Sequence, residues 1–240
     1  MVFSETSRVT GVHGTTSRGR LGIRVRPHFF DRILSRAIRP PLRMRPEVSA
    51  EAPMRYEAVV FDCFGVLCPD VGHQWLAQTF PEAEAAEIVR TLFVAADHGR
   101  ISQETLFAEL GKRSHRPPAL VELDWIGLLT IHADVVALVQ RLRPSRKLGL
   151  LTNAPSAFVR EMLRNHKLEK LFDSIVVSSE IGHAKPDAQA FRAILAALCA
   201  EPHQAVMIDD NPRNVAAAEG IGMDGLLFRS AGELELALFP

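Results

Sequence analysis

The sequence predicts an α/β fold, in which a doubly wound parallel sheet carries a helical domain inserted after its first strand. From Tyr56 onward, short apolar runs alternate with longer amphipathic stretches, as strands and helices do in such a fold. One interval, residues 68–131, breaks this alternation because it carries helical patterns and no convincing strand. A chain of 240 residues is long enough for one core and a smaller insertion.

Five apolar runs are the predicted strands. Each is short and is bounded by polar or turn residues, which is typical of strands that are buried on both faces of a parallel sheet. The runs are 58–61, 147–151, 174–177, 205–208 and 225–228.

The predicted helices of the core follow these strands in alternation. Pro155, Pro186 and Pro212 stand at or near helix starts, where the missing proline N–H leaves no hydrogen bond unmade. The amphipathic stretches are 133–142, 156–166, 188–199, 211–220 and 231–238.

The helical interval is expected to form a cap, with helices at 73–80, 82–96, 103–112 and 119–129. Inserted after the first strand, it would lie over the carboxyl ends of the strands, where open α/β sheets bind ligands. The predicted domains are a core of residues 54–67 plus 132–240 and a cap of residues 68–131. His73, inside this cap, is interpreted as a surface or capping residue.

The charge of the chain changes sharply near residue 54. Residues 1–54 hold ten arginines against four acidic residues, a net charge of +6, whereas the remainder carries −6. Residues 1–53 also lack hydrophobic periodicity, so we expect a disordered extension or a start codon placed too far upstream, with the folded domain beginning near Met54. The alternative is an organellar transit peptide, because the segment is rich in arginine, serine and threonine.

The composition excludes several classes of partner. A mildly acidic body argues against nucleic acid, and no stretch approaches the roughly 18 apolar residues that a membrane span needs. The three cysteines, Cys63, Cys68 and Cys199, do not make a disulfide framework, so a reducing cytoplasm is the expected location. A small molecule is the expected partner, and the oligomeric state is left open.

Polar residues are concentrated in four segments at or just after predicted strand ends. The segments are 61–67, 150–153, 182–187 and 207–214, and together they bring three carboxylates, one hydroxyl and one ammonium to a single sheet edge. Core packing does not require this combination, because unpaired buried charge is costly. Gathered carboxylates repel one another unless a cation joins them, and oxygen ligands favour Mg²⁺. A carboxylate can also act as a nucleophile.

The order of these segments resembles that of the haloacid dehalogenase superfamily over about residues 56–228. The resemblance implies a Rossmann-like core with a helical cap of the subfamily I type and hydrolysis through an aspartyl intermediate. It implies Asp62 as nucleophile, Lys185 as bridging cation, and Thr152 and Asn153 as anchors for phosphate or substrate. It also implies a Mg²⁺ site made by Asp62, Asp209, Asp210 and the backbone carbonyl of Phe64.

Phe64 departs from the pattern of the superfamily's phosphatases, which usually carry a second aspartate at this position as the general acid. An aromatic side chain has no proton to give, and the loss of a positioned acid typically costs about 10²–10⁴ in rate. The superfamily's dehalogenases are similar at this position, but Asp209 and Asp210 retain a metal-binding pair. Three functions therefore stay open: Mg²⁺-dependent hydrolysis of a small phosphate ester, 2-haloacid dehalogenation, and ligand binding without turnover.

Overall fold

One parallel sheet forms the centre of the fold in the computed structural model, which describes residues 55–239. Its strands are β1 (Ala58–Phe61), β2 (Lys147–Thr152), β3 (Ser174–Val177), β4 (Ala205–Asp209) and β5 (Asp224–Leu227). The sheet order is β3-β2-β1-β4-β5, which confirms the doubly wound α/β prediction. The predictions for residues 1–53 lie outside the described residues.

The strands are buried on both faces, which explains their uninterrupted apolar sequences. In β1, Val59 and Phe61 pack on one face of the sheet, while Ala58 and Val60 pack on the other. The first face is covered by α6 (Ala133–Leu142), α7 (Ser156–Asn165) and α11 (Ala231–Leu238). The second face is covered by α9 (Ala188–Leu198) and α10 (Pro212–Gly220).

Residues 68–131 are helical between β1 and β2, as expected. The helices are α1 (Val71–Thr79), α2 (Glu82–Ile88), α3 (Val94–Asp97), α4 (Gln103–Ser114) and α5 (Pro118–Leu128), and a π-helical turn, Val89–Phe93, joins α2 to α3. Asp70 and Ser102 are the N-caps of α1 and α4, and each side chain accepts a hydrogen bond from the backbone N–H three residues on. We refer to residues 68–131 as the helical insert; that it is a separate domain stays a prediction.

The observed boundaries differ from the predicted ones by one or two residues where polar side chains end an apolar run. Thr152 and Asp209 are the last residues of β2 and β4, although only the apolar residues before them were predicted as strand. The helix predicted from residue 211 begins at Pro212, because Asn211 is its N-cap and accepts a hydrogen bond from the Arg213 N–H.

The segment 182–187 does not directly follow a strand, which corrects the prediction. A short helix, α8 (Ser178–Ile181), stands between β3 and this segment. The chain then returns toward the centre of the sheet, so Lys185 reaches the sheet edge from a loop. None of the described helices has the length and apolar character needed to cross a membrane.

Candidate active site

Asp62 occupies the carboxyl end of the central strand. Its backbone N–H donates to the Ile208 carbonyl at 2.9 Å, which continues the pairing of β1 with β4. Its side chain is almost completely buried, at 6% residue exposure. Oδ1 accepts a hydrogen bond from the Cys63 N–H at 2.6 Å and lies 2.8 Å from Nζ of Lys185. Asp62 is therefore held in one orientation by its neighbour and by a buried cation.

Lys185 joins two of the predicted site carboxylates. Its Nζ lies 2.8 Å from Oδ1 of Asp62 and 2.6 Å from Oδ2 of Asp209, with the side chain 1% exposed. Burial by itself would lower the pKa of Lys185, but the two carboxylates outweigh it and raise the pKa. Burial raises the pKa of Asp62, and the Lys185 ammonium opposes that shift. The surroundings of Lys185 therefore favour its positively charged form.

Asn153 fixes the loop that carries Lys185. Its Nδ2 donates to the Lys185 carbonyl at 2.7 Å, and its Oδ1 accepts from the Lys185 N–H at 2.8 Å. These two hydrogen bonds hold the backbone of Lys185 in place, although its loop belongs to no strand and has no sheet pairing. Its predicted role as a substrate anchor remains a proposal, although Asn153 also lines the cavity described below.

Asp209 is held by groups on both sides. Oδ2 accepts from Lys185, while Oδ1 accepts from the Asn211 N–H and from Nδ2 of Asn214, both at 2.9 Å. Asn214 is buried, and sequence reasoning assigned it no role. Asn214 lies five residues after Asp209, inside α10, and this spacing is the feature of the sequence from which its role could have been predicted.

Gly65 allows the loop after β1 to approach Asp210 closely. Its φ is +90°, and a Cβ built on it would lie 2.3 Å from Cγ of Asp210. Any other residue would suffer both backbone strain and a direct clash with the carboxyl group. The turn that begins at Asp62 therefore depends on glycine to bring its backbone close to Asp210.

The residues present fit a hard divalent cation. One carboxylate oxygen from each of Asp62, Asp209 and Asp210 lies within 4.8 Å of the other two. Oxygen donors at this spacing suit Mg²⁺, which binds through a few carboxylates together with substrate oxygens and water. Thr152 is fully buried, and its Oγ1 has no hydrogen-bond partner within residues 55–239. A buried hydroxyl without a partner at the end of β2 is consistent with a ligand oxygen at this edge.

A cavity of roughly 430 Å³ opens over this edge, between the sheet and the helical insert. Asp62, Lys185 and Asp210 line its floor, and aromatic rings from both parts of the chain form its walls. Phe64 stacks on Phe158 of α7, with ring centroids 6.2 Å apart and planes 29° apart. The volume is in the range of small-molecule sites, so the cavity suits a small ligand with an apolar portion.

The insert contributes titratable groups that sequence reasoning did not place in the site. Asp70, His73 and Asp97 all line the cavity. His73 is exposed, as expected of a surface residue, but the face it exposes belongs to the cavity. No ligand spacing links these residues in the sequence. They come together because α1 packs against Phe93 of the π-helical turn that leads into α3.

Asp97 supplies a test of the cavity's electrostatics. Burial raises the pKa of Asp97 to about 7, with Asp70 adding to the shift and His73 and Lys185 opposing it. The folded protein then binds more protons than the unfolded chain between about pH 4 and 7, so this carboxyl lowers the free energy of unfolding as pH rises. We expect Asp97→Asn to remove this slope, which is at most about 1.4 kcal/mol per pH unit for one group. Urea unfolding of both proteins from pH 4 to 8 measures the free energy of unfolding at each pH. If the two proteins showed the same dependence on pH, Asp97 would not be a buried carboxyl with a raised pKa.

Comparisons with known proteins match the chain to one family. The model of the haloacid dehalogenase-like hydrolases matches residues 56–222, which is more than half of the chain. The sesquiterpene phosphatase astK of Aspergillus oryzae is 25% identical over 134 residues, 54% of this chain and 68% of that protein. A phosphorylated carbohydrates phosphatase of Thermotoga maritima is 33% identical over 78 residues, 32% of this chain and 36% of that protein.

A solved structure shares the fold. It is the HAD family enzyme bt-2542 of Bacteroides thetaiotaomicron, crystallised in complex with magnesium and inorganic phosphate. The TM-score is 0.62 and the sequence identity is 19%, with 74% of this chain and 96% of that chain covered.

Proposed function

Because the chain belongs to the haloacid dehalogenase-like hydrolases, we propose that it hydrolyses a small phosphorylated metabolite through an aspartyl intermediate on Asp62. The observation that carries the proposal is the buried triangle of Asp62, Lys185 and Asp209 beside a further carboxylate, Asp210. The phosphatase names of the relatives support the same reaction class.

Asp62, Asp209, Asp210 and the Phe64 carbonyl would hold Mg²⁺. Bound there, the cation would neutralise the carboxylates and the oxygens of the transferred group. The bt-2542 enzyme, of the same fold, binds magnesium and inorganic phosphate, which supports this choice of cofactor.

The protein's own groups would perform the remaining steps. A carboxylate oxygen of Asp62 attacks phosphorus, and the leaving oxygen departs with the electron pair of its bond to phosphorus. Lys185 keeps Asp62 oriented and offsets the negative charge of the attacking and transferred groups. Thr152 and Asn153 are proposed to contact the phosphoryl oxygens from the end of β2. The helical insert acts as a cap that surrounds the leaving group.

Dehalogenation is the second candidate, favoured by the aromatic side chain at Phe64. The charges of the cavity argue against it. A 2-haloacid carries a carboxylate that needs cationic or N–H donors, yet no arginine is among the described residues that line the cavity. Lys185 is already shared between two carboxylates, and Asp210 would repel an anionic substrate that arrives without a cation.

Metal removal separates the candidates. We expect the purified protein to release phosphate from members of a phosphate-ester panel in Mg²⁺, and to lose most of this activity in EDTA, because the carboxylates repel the dianionic ester without a cation. Excess Mg²⁺ should restore it. Halide release from 2-chloropropionate that persists in EDTA, without phosphate release, would favour the dehalogenase instead. Ligand-dependent thermal stabilisation with neither product would favour a binding protein.

A further inference from the structure

We propose that His73 is the general acid of this site and donates a proton to the leaving-group oxygen, the task that Phe64 cannot perform. The inference rests on the proposed function and adds to it a catalytic residue that comes from the helical insert. It implies that the chain accepts esters whose alcohols need protonation in order to leave.

The geometry fixes the His73 ring at the cavity. Nδ1 lies 2.7 Å from Oδ2 of Asp70, whose Oδ1 accepts from the His73 N–H at 3.0 Å as the N-cap of α1. The ring meets Phe93 edge to face, with centroids 5.5 Å apart. Within the described part of the chain, Nε2 has no hydrogen-bond partner. An imidazole with one nitrogen held by a carboxylate and the other open is the arrangement of a proton donor.

The charges that face His73 favour its protonated form. The hydrogen bond that His73 Nδ1 donates to the Asp70 carboxylate raises the pKa of His73 above its ordinary value. Partial burial opposes this shift, and the carboxylates of Asp97 and Asp210 add to it. Phe93, the neighbour packed on the ring, is apolar and adds no charge. These surroundings therefore favour the protonated imidazole over the neutral one, as a proton donor requires.

Both halves of the proposed reaction conserve atoms and charge. An oxygen of Asp62 forms a bond to phosphorus as the bond from phosphorus to the leaving oxygen breaks, and the Nε2 proton of His73 moves to that oxygen to give a neutral alcohol. In the second half, neutral His73 takes a proton from water as the water oxygen attacks phosphorus. The phosphorus–Asp62 bond breaks, inorganic phosphate leaves, and both the carboxylate and the imidazolium are restored.

Asp97 is the rival donor, since it lines the same cavity and its pKa is raised to about 7. Above neutral pH most Asp97 carboxyl groups would have lost their proton, whereas the hydrogen bond to Asp70 favours the protonated form of His73. The hydrogen bond between Nδ1 of His73 and Asp70 also holds the imidazole in one orientation at the cavity. The observations therefore favour His73.

A pair of esters with similar shape tests the assignment. 4-Nitrophenolate leaves without a proton, whereas phenolate is far more basic and gains from one. We expect His73→Gln to lower kcat/KM for phenyl phosphate by about 10²-fold or more, and that for 4-nitrophenyl phosphate by less than about 3-fold. His203→Gln, an exposed histidine before β4, is the matched control and should change neither. Equal losses for both esters, or no loss for phenyl phosphate, would overturn the proposal, as would a selective loss in Asp97→Asn instead.

The pH profile supplies a second, independent measurement. A general acid must carry its proton, so kcat/KM for phenyl phosphate should fall as pH rises through the pKa of His73. Asp70→Asn keeps the N-cap acceptor but removes the charge, so we expect this basic limb to move to lower pH. A purely structural role for Asp70 would leave the limb in place, which would contradict the proposal.

The same assays separate this inference from the proposed function. Turnover of 4-nitrophenyl phosphate that depends on Mg²⁺ and on Asp62 upholds the phosphatase assignment, whatever the His73 variant shows. Absence of turnover of both esters by the unaltered protein would overturn the phosphatase assignment itself, and the role of His73 with it.

Discussion

An Asp62→Asn protein is expected to hydrolyse 4-nitrophenyl phosphate about 10³-fold more slowly than the unaltered protein, or slower still. The amide oxygen can still accept from the Cys63 N–H and the Lys185 ammonium, so the fold should be retained. What is lost is the anionic nucleophile, because a neutral amide does not attack phosphorus. Steady-state kinetics in Mg²⁺ measures the change.

The control for this variant is Asp224→Asn. Asp224 is the first residue of β5, at the opposite end of the strands from the site, and pairs with the exposed side chain of Arg55 at 2.8 Å. Surface ion pairs of this kind contribute little to stability, so we expect its turnover to match the unaltered protein. If Asp62→Asn retained activity within tenfold of that control, Asp62 would not be the nucleophile.

Lys185→Met is expected to lower the free energy of unfolding by roughly 3–5 kcal/mol, besides abolishing turnover. Methionine fills a similar volume but leaves Asp62 and Asp209 buried and facing each other without their shared cation. Breaking a buried ion pair costs more than its net attraction, because the partners stay desolvated. Urea unfolding in EDTA measures the loss, while the same titration in Mg²⁺ should recover part of it through binding to the freed carboxylates.

Lys147→Met provides the comparison for that loss. Lys147 is exposed, and its Nζ donates to the Cys199 carbonyl at 2.7 Å, so it has no buried charge as a partner. Its substitution should change the free energy of unfolding by no more than about 0.5 kcal/mol. Equal destabilisation by the two substitutions would show that the charge at Lys185 is not what stabilises the cluster.

The sheet and the residues at its edge could be predicted from the sequence, because strands that are buried on both faces have continuous apolar sequences. Phe61 pairs with Leu150 and Ile208, so Asp62 and Asp209 end adjacent strands at one level. The parallel register therefore converts positions 147 residues apart into neighbours, and no side-chain detail is needed to infer it.

The parts that escaped prediction depend on packing between helices. Asp70, His73 and Asp97 share a cavity only because α1 packs against the π-helical turn that leads into α3. This turn has no recognised sequence signal. The hydrogen bonds between the Asn153 amide and the backbone of Lys185, 32 residues away, were not predicted either. A local sequence pattern cannot predict hydrogen bonds of this kind, because they depend on the path of the loop that follows α8.

Phe158 has a consequence for how ligands exchange. Although it belongs to α7, its ring packs among the apolar side chains of the helical insert and meets Trp125 edge to face at 5.7 Å. Movement of the insert away from the sheet would return this ring to water, at a cost of about 1.5–3 kcal/mol. That cost alone holds the open population roughly 10- to 150-fold below the closed one. An open state of this kind would therefore be a minor one, and its abundance would depend on a side chain that takes no part in the chemistry.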